Sequence, residues 1–133
     1  MQILTLYIST SLVFLLLDAV MLKSVIHPLF ARNIGDLLAP ELRLGPAAVF
    51  YLAYVAGLIA LVSYPALREG VPGQALWRGA LVGAMAYGTY EFTNYATLRG
   101  WSPVMVATDM AWGTVLTGLA AWAGVLITRA FTS

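Results

Sequence analysis

Residues 87–101 read YGTYEFTNYATLRGW and close a long apolar run, yet they carry a carboxylate, an amide, three tyrosines and three threonines. Polar side chains inside a membrane-spanning segment are costly and usually mark a functional site. The apolar residues before this stretch extend the run to residues 75–98, which is long enough to cross about 30 Å of hydrocarbon. We therefore expect a membrane-spanning helix that ends in a polar site.

The composition of the whole chain is that of a membrane protein. Of its 133 residues, 61% are hydrophobic and 10% are charged, whereas a soluble domain carries about 25% charged residues. The length supports one domain, residues 1–133. A net charge of +1 with scattered basic residues argues against a nucleic-acid partner. With no cysteine and one histidine, His27, disulfides and thiolate or multi-histidine metal sites are excluded. No metal site is expected, and no cofactor is indicated.

Three more apolar runs predict three further spans, at residues 3–22, 47–65 and 103–128. The expected fold class is an all-α integral membrane protein with four transmembrane helices. The first run lacks a basic start and a small-residue cleavage site, so we expect a retained span. Tyr64-Pro65 is expected to end the second span.

The segment of residues 24–45, between the first and second spans, has a different pattern. Charged residues and two prolines alternate there with apolar residues at roughly helical intervals. This pattern predicts an amphipathic segment in the membrane interface. Its length favours a cover or a docking surface, and a partly disordered loop is the alternative.

Three spans each contain one carboxylate: Asp18, Glu91 and Asp109. At 1.5 Å of rise per residue, they lie roughly 7, 12 and 10 Å inside the membrane, on the side of the first and third loops. This common depth predicts one polar pocket in one leaflet. The residues predicted to bind a ligand or a proton there are Asp18, Glu91, Asp109, Asn94, Tyr87, Tyr90 and Trp112.

Three adjacent carboxylates in a low dielectric cannot all be ionised, so at least one is expected to hold a proton near neutral pH. Lys23 and Arg99 are the candidate counter-charges, since long basic side chains can reach along a helix. The alternative is that each acid only locks two helices together through hydrogen bonds.

Small residues at steps of four predict close helix packing. Gly79 and Gly83 form a G-x-x-x-G pair on the third span, and Gly113 and Thr117 belong to a similar stripe on the fourth. Small residues allow two helices to approach closely in a membrane. The pattern does not distinguish another helix of this chain from a second copy, so a homodimer through these residues is one prediction.

Several short motifs resemble a bacterial family of small four-span membrane proteins that is known only as a domain of unknown function. The resemblance covers nearly the whole chain and implies a bacterial inner (cytoplasmic) membrane protein, without implying an activity. The third-span acid of that family is usually Asp, so Glu91 departs from the pattern. The motifs are Phe50-Tyr51-Leu52-x-Tyr54, Pro65-Ala66, residues 89–94 (TYEFTN), Gly100-Trp101 and Asp109-x-x-Trp112-Gly113.

The basic residues favour an N-terminus outside the cell and a pocket facing the cytoplasm, because the first loop has three of them and the N-terminus has none. Besides the lipid bilayer, a small apolar or amphipathic ligand is the expected partner. The leading hypothesis is a small-molecule binder or proton-coupled carrier. One alternative is a membrane enzyme that acts on a lipid or isoprenoid by acid–base catalysis. Another is a structural subunit of a membrane complex, and whether the chain is an enzyme stays open.

Overall fold

The computed structural model describes residues 2–40 and 43–132, and within them the chain is helical with no strand. Four long helices follow one another: α1 (Gln2–Leu37), α2 (Leu44–Glu69), α3 (Pro72–Thr97) and α4 (Pro103–Thr132). By length and composition, α1, α2 and α4 are candidate membrane spans. The described part of the chain is therefore an all-α structure with three candidate membrane-spanning helices.

Two of these helices contain a π-helical turn, Leu22–Ile26 in α1 and Ile59–Ser63 in α2. Each turn ends two residues before a proline, Pro28 or Pro65. A proline ring normally clashes with the carbonyl four residues earlier. Here that carbonyl lies in the widened turn, which accommodates the ring without breaking the helix.

Two helices extend beyond the ends predicted for their spans. Tyr64-Pro65 does not end the second helix, because the helix continues to Glu69, where Gly70 at φ +71° stops it. Likewise, α1 continues past the predicted span of residues 3–22 and reaches Leu37 through a final 3₁₀ turn, Gly35–Leu37.

Helix α4 is the centre of the bundle and contacts the other three helices. Its closest partner is α3, and small residues make the contact between them. A Cβ at Gly83 would overlap the carbonyl oxygen of Gly113 and come within 2.8 Å of the Thr117 Cβ. A Cβ at Gly79 would lie 3.0 Å from Ala121. The predicted small-residue stripes therefore face each other within one chain.

This packing corrects the predicted homodimer surface. Thr117 is fully buried, and Gly79, Gly83 and Gly113 are buried as well. Residues that are already covered by a helix of the same chain cannot contact a second copy. The close packing that the pattern predicted is present within one chain, and a homodimer through these residues is not supported.

The two ends of the bundle differ in how α2 and α3 approach. Their contacts are concentrated in residues 59–69 of α2, next to the turn that connects the two helices. Around this end lies an apolar core of residues that are nearly or fully buried: Leu6, Val55, Leu58, Ala121 and Val125. Toward the other end, α2 and α3 separate.

The outside of the bundle is apolar. On α1, for example, large aliphatic side chains form an exposed stripe: Ile3, Leu4, Ile8, Leu12, Leu16 and Val20. By contrast, Tyr7, Ser11, Phe14 and Asp18 share the opposite face and are buried or half-buried. A helix bundle in lipid requires this distribution, with aliphatic side chains on the outside and polar side chains facing the other helices.

Candidate functional site

A cavity of about 390 Å³ lies where α2 and α3 separate. All four helices contribute to its wall, with Asp18 from α1 and Asp109 from α4 as its two carboxylates. Two aromatic residues that line it, Phe50 of α2 and Tyr90 of α3, are 60% and 53% exposed. The cavity is therefore open to the surface of the bundle beside these two residues. The other lining residues are Leu22, Ile26, His27, Phe30, Leu38, Tyr51, Ala86 and Tyr87.

Asp18 is held in the cavity wall by two donors from different helices. The Tyr51 hydroxyl of α2 donates to Oδ2 at 2.7 Å, and Nε1 of Trp112 on α4 donates to Oδ1 at 3.1 Å. A carboxylate accepts such bonds on both oxygens, so neither contact requires a proton on Asp18. This residue therefore joins three helices and presents a fixed acceptor to the cavity.

Glu91 and Asp109 form a second acidic group. Glu91 is fully buried, and its Oε1 accepts a hydrogen bond from Nε1 of Trp101 at 2.9 Å. Its Oε2 is buried without a hydrogen-bond partner among the described residues. Asp109 is 8% exposed and has Glu91 as a close acidic neighbour. A hydrogen bond between two carboxyl groups requires that one of them holds a proton, since a carboxylate cannot donate.

Two tyrosines of α3 complete the polar part of the wall. The Tyr87 ring lies directly on Gly113, where any Cβ would overlap it. The Tyr90 hydroxyl lies within hydrogen-bonding reach of Asn94, and its ring meets Trp101 edge-on with the centroids 5.9 Å apart. Gly113 is therefore needed at the site itself, because it provides the space for an aromatic ring.

The predicted site residues thus divide into groups. Asp18, Asp109, Tyr87 and Tyr90 line one cavity, while Trp112 lies behind Asp18. Glu91 lies behind Asp109, and Asn94 lies beside Tyr90. In the described part of the chain, no three acidic or histidine side chains are placed to hold a metal ion. The three carboxylates therefore occupy neighbouring positions without converging on one point.

The two candidate counter-charges are not at the carboxylates. Lys23 is exposed and is not among the residues that line the cavity. Arg99 is exposed too, and it lines a separate cavity of about 420 Å³ together with Arg32 and Asp36. The charged neighbours of Asp109 are instead the two other acids, Glu91 and Asp18.

The segment predicted as a cover reaches the cavity. His27, Phe30 and Leu38, all within residues 24–40, belong to its wall. Phe30 also packs edge-on against Trp101, with ring centroids 5.3 Å apart. Leu29 and Ile34 are buried against Trp101 and Met105, so this segment is docked on the loop between α3 and α4.

Sequence reasoning did not select two residues that the structure places at the acids, Tyr51 and Trp101. Both stand within motifs that carried the family resemblance, and both donate to a carboxylate. The signal that identifies them is chemical. A buried acid needs donors, and tyrosine and tryptophan are the residues that supply one from an apolar segment.

Comparison with known proteins identifies a family for nearly the whole chain. A family model described as "Predicted membrane protein (DUF2177)" matches residues 3–126. No curated protein and no solved structure matches the chain.

Proposed function

The chain belongs to the DUF2177 family of predicted membrane proteins, and from that premise we propose that it binds a small apolar or amphipathic molecule and exchanges it for protons. In this proposal the cavity between α2 and α3 is the binding site, and the carboxylates at its wall hold the protons. The protein resides in the bacterial inner membrane as a four-span bundle.

The composition and packing of α3 support its role as the fourth span. Its 26 residues cover about 39 Å, more than the 30 Å of hydrocarbon. Its apolar character is lower than that of the other candidate spans because it contains polar residues, among them Arg78, Glu91 and Asn94, besides four glycines. Two helices joined by a short turn and packed closely together belong at the same membrane depth.

The distribution of basic residues supports the proposed orientation of the chain. Lys23, Arg32 and Arg43 lie between the first two spans, and Arg99 lies between the last two. The excess of positive charge on this side favours the cytoplasm, so the N-terminus is outside. The cavity then lies in the cytoplasmic leaflet and opens sideways toward lipid.

One observation carries the proposal: a cavity of about 390 Å³ with apolar and aromatic walls has two carboxylates in it. Its volume falls within the range of small-molecule sites, which combine apolar walls with a few polar groups. Intramembrane carboxylates without basic neighbours are typical of proton-coupled sites. A purely structural lock does not need a cavity beside it.

The binding part of the proposal is tested by filling the cavity. Thermal unfolding in detergent is measured with decanol, decanoate and decylamine, which share an apolar body and differ in head-group charge. A ligand that binds the folded state raises the melting temperature. We expect at least one of them to stabilise the wild type, and Ala86→Phe, which fills the cavity, to abolish the effect.

Ala96→Phe is the matched control, since Ala96 is exposed on the same helix, and it should retain the stabilisation. Equal behaviour of Ala86→Phe and wild type with all three compounds would exclude this cavity as the site. Proton exchange is tested separately in proteoliposomes, where a pH gradient should drive uptake of the bound compound by wild type and not by Asp109→Asn.

A further inference from the structure

The charged residues in the cavity wall are acidic. The twelve residues that line it include two carboxylates and no lysine or arginine. Five of the twelve are aromatic: Phe30, Phe50, Tyr51, Tyr87 and Tyr90. Aromatic faces and carboxylates together attract cations, whereas an anionic head group would meet two acids without a basic partner.

Asp18 and the pair of Glu91 and Asp109 differ in how far their oxygens are already hydrogen-bonded. Asp18 already accepts one hydrogen bond on each oxygen, so it offers negative charge in a fixed position. Asp109 lies next to Glu91, and Oε2 of Glu91 has no hydrogen-bond donor among the described residues. Two ionised carboxylates at this place would also repel each other. A single proton between the two carboxyl groups supplies the missing donor and halves their negative charge.

From this geometry, and resting on the function proposed above, we infer that the ligand is an organic cation and that it displaces the proton held between Glu91 and Asp109. Before binding, Asp18 carries one negative charge and the protonated pair carries another. After binding, Asp18, Glu91 and Asp109 carry three negative charges, and the ligand in the cavity carries one positive charge. One positive charge enters and one leaves through the cavity to water, so the net charge of the site stays the same.

The helices around the pair contribute acids, phenols and one imidazole to the cavity. Asp18 and His27 face the cavity from α1, Tyr51 faces it from α2, and Tyr87 and Tyr90 face it from α3. His27 lines the cavity and is exposed. None of these residues supplies a permanent positive charge that would make the cation unnecessary.

The experiment uses two probes of nearly equal size and shape and opposite charge, tetraphenylphosphonium and tetraphenylborate. Binding to the purified full-length protein is measured by calorimetry in buffers of different ionisation enthalpy, which reports the protons released. We expect the phosphonium to bind with release of about one proton per cation. Its affinity should rise by up to about tenfold per pH unit while the pair still holds its proton, because protons and cation compete. The borate should not bind in the cavity.

The Glu91→Gln variant tests whether proton release can be removed while cation binding is kept. The amide introduced at this position can accept from Trp101 and donate to Asp109, so it imitates the protonated pair without an exchangeable proton. This variant should bind the phosphonium without proton release and without pH dependence. Asp109→Asn removes the same proton from the other side and serves if Glu91→Gln does not fold. Glu69→Gln alters an exposed acid outside the cavity and should behave as wild type.

The possible outcomes separate this inference from the proposed function. Equal binding of the borate, binding of the phosphonium without proton release, or no binding of the phosphonium to folded protein each overturns the cation exchange. If decanol or decanoate still stabilises wild type and not Ala86→Phe, the binding site stands and only its charge preference is wrong. If no compound of either set distinguishes these two proteins, both proposals are wrong.

Discussion

The two ends of this bundle are built from the same four helices but have opposite properties. Near the turn between α2 and α3, helices approach until glycine backbone touches glycine backbone, and aliphatic side chains fill the remaining space. At the other end, tyrosines and carboxylates occupy the corresponding positions, and a cavity remains. The first end therefore leaves no room for a ligand, whereas the second end combines a cavity with polar side chains.

The comparison shows how side-chain size controls helix separation along one helix. On α3, Gly79 and Gly83 sit on α4 in the packed half. One turn later the ring of Tyr87 takes that place and rests on Gly113. The change from small to large residues along one face of α3 therefore coincides with the transition from packed core to cavity wall.

The largest expected effect comes from the packed half. In Gly83→Ala, the new Cβ would overlap the Gly113 carbonyl oxygen, which is backbone and cannot rotate away. We expect the free energy of unfolding to fall by about 3 kcal/mol, measured by reversible unfolding in mixed micelles. The matched control is Gly57→Ala, because a Cβ there meets nothing within 4 Å. That variant should gain up to about 1 kcal/mol from its higher helix propensity, and a similar loss in both would contradict the close contact.

The next effect concerns the buried acid of the cavity half. Glu91→Ala leaves the Trp101 indole N–H without an acceptor and opens a void, so we expect a loss of about 2 kcal/mol in the free energy of unfolding, measured in the same micelles. Glu91→Gln keeps the acceptor and should melt at or above wild type. If the Gln variant is as unstable as the Ala variant, the negative charge itself holds the fold, and the acid is a structural lock.

A smaller effect separates two tyrosine hydroxyls one helical turn apart. Tyr51 donates to Asp18 at the cavity, while Tyr54 pairs with Thr117 Oγ1 at 3.0 Å toward the packed core. Each Tyr→Phe variant should lose about 1 kcal/mol of stability, the usual value for such bonds in membranes. Only Tyr51→Phe should also change the affinity for tetraphenylphosphonium. An equal change of affinity in Tyr54→Phe would contradict the division of the bundle into two halves.

The smallest expected effect is at the π turn of α2. Pro65→Ala restores a backbone N–H and removes the ring that the widened turn accommodates. Because this turn belongs to the packed half, we expect stability to change by less than about 1 kcal/mol and phosphonium affinity to stay the same. A large loss of affinity would show that the two halves are coupled through α2.

Much of the helical structure could be predicted from the chain, because apolar runs of sufficient length determine helices in a membrane. The proximity of Asp18, Glu91 and Asp109 was likewise accessible, since a constant rise per residue places them at similar levels along their helices. The continuation of α2 through Pro65 was not, because a π turn leaves no composition signal. The glycine stripes predict proximity without naming the partner, which only the arrangement of helices decides.

The candidate site was predictable in its acids and in one donor, Trp112, and not in the other two donors. Each acid is a rare residue in its helix, so its inward position follows from the cost of placing it in lipid. Tyr51 and Trp101 are ordinary aromatic residues of a membrane protein, and interfacial anchoring would explain them equally well. Their role depends on which helix lies opposite, and that is a property of the tertiary structure.

Two of the four tryptophans of this chain donate their indole N–H to a carboxylate, Trp101 to Glu91 and Trp112 to Asp18. Indole emission is sensitive to the charge next to the ring nitrogen. The protein thus contains its own optical sensors, one for each acidic group of the cavity. Single replacement of Trp101 or Trp112 by Phe would assign the two signals, and loss or gain of charge in the cavity could then be followed by light in unlabelled protein.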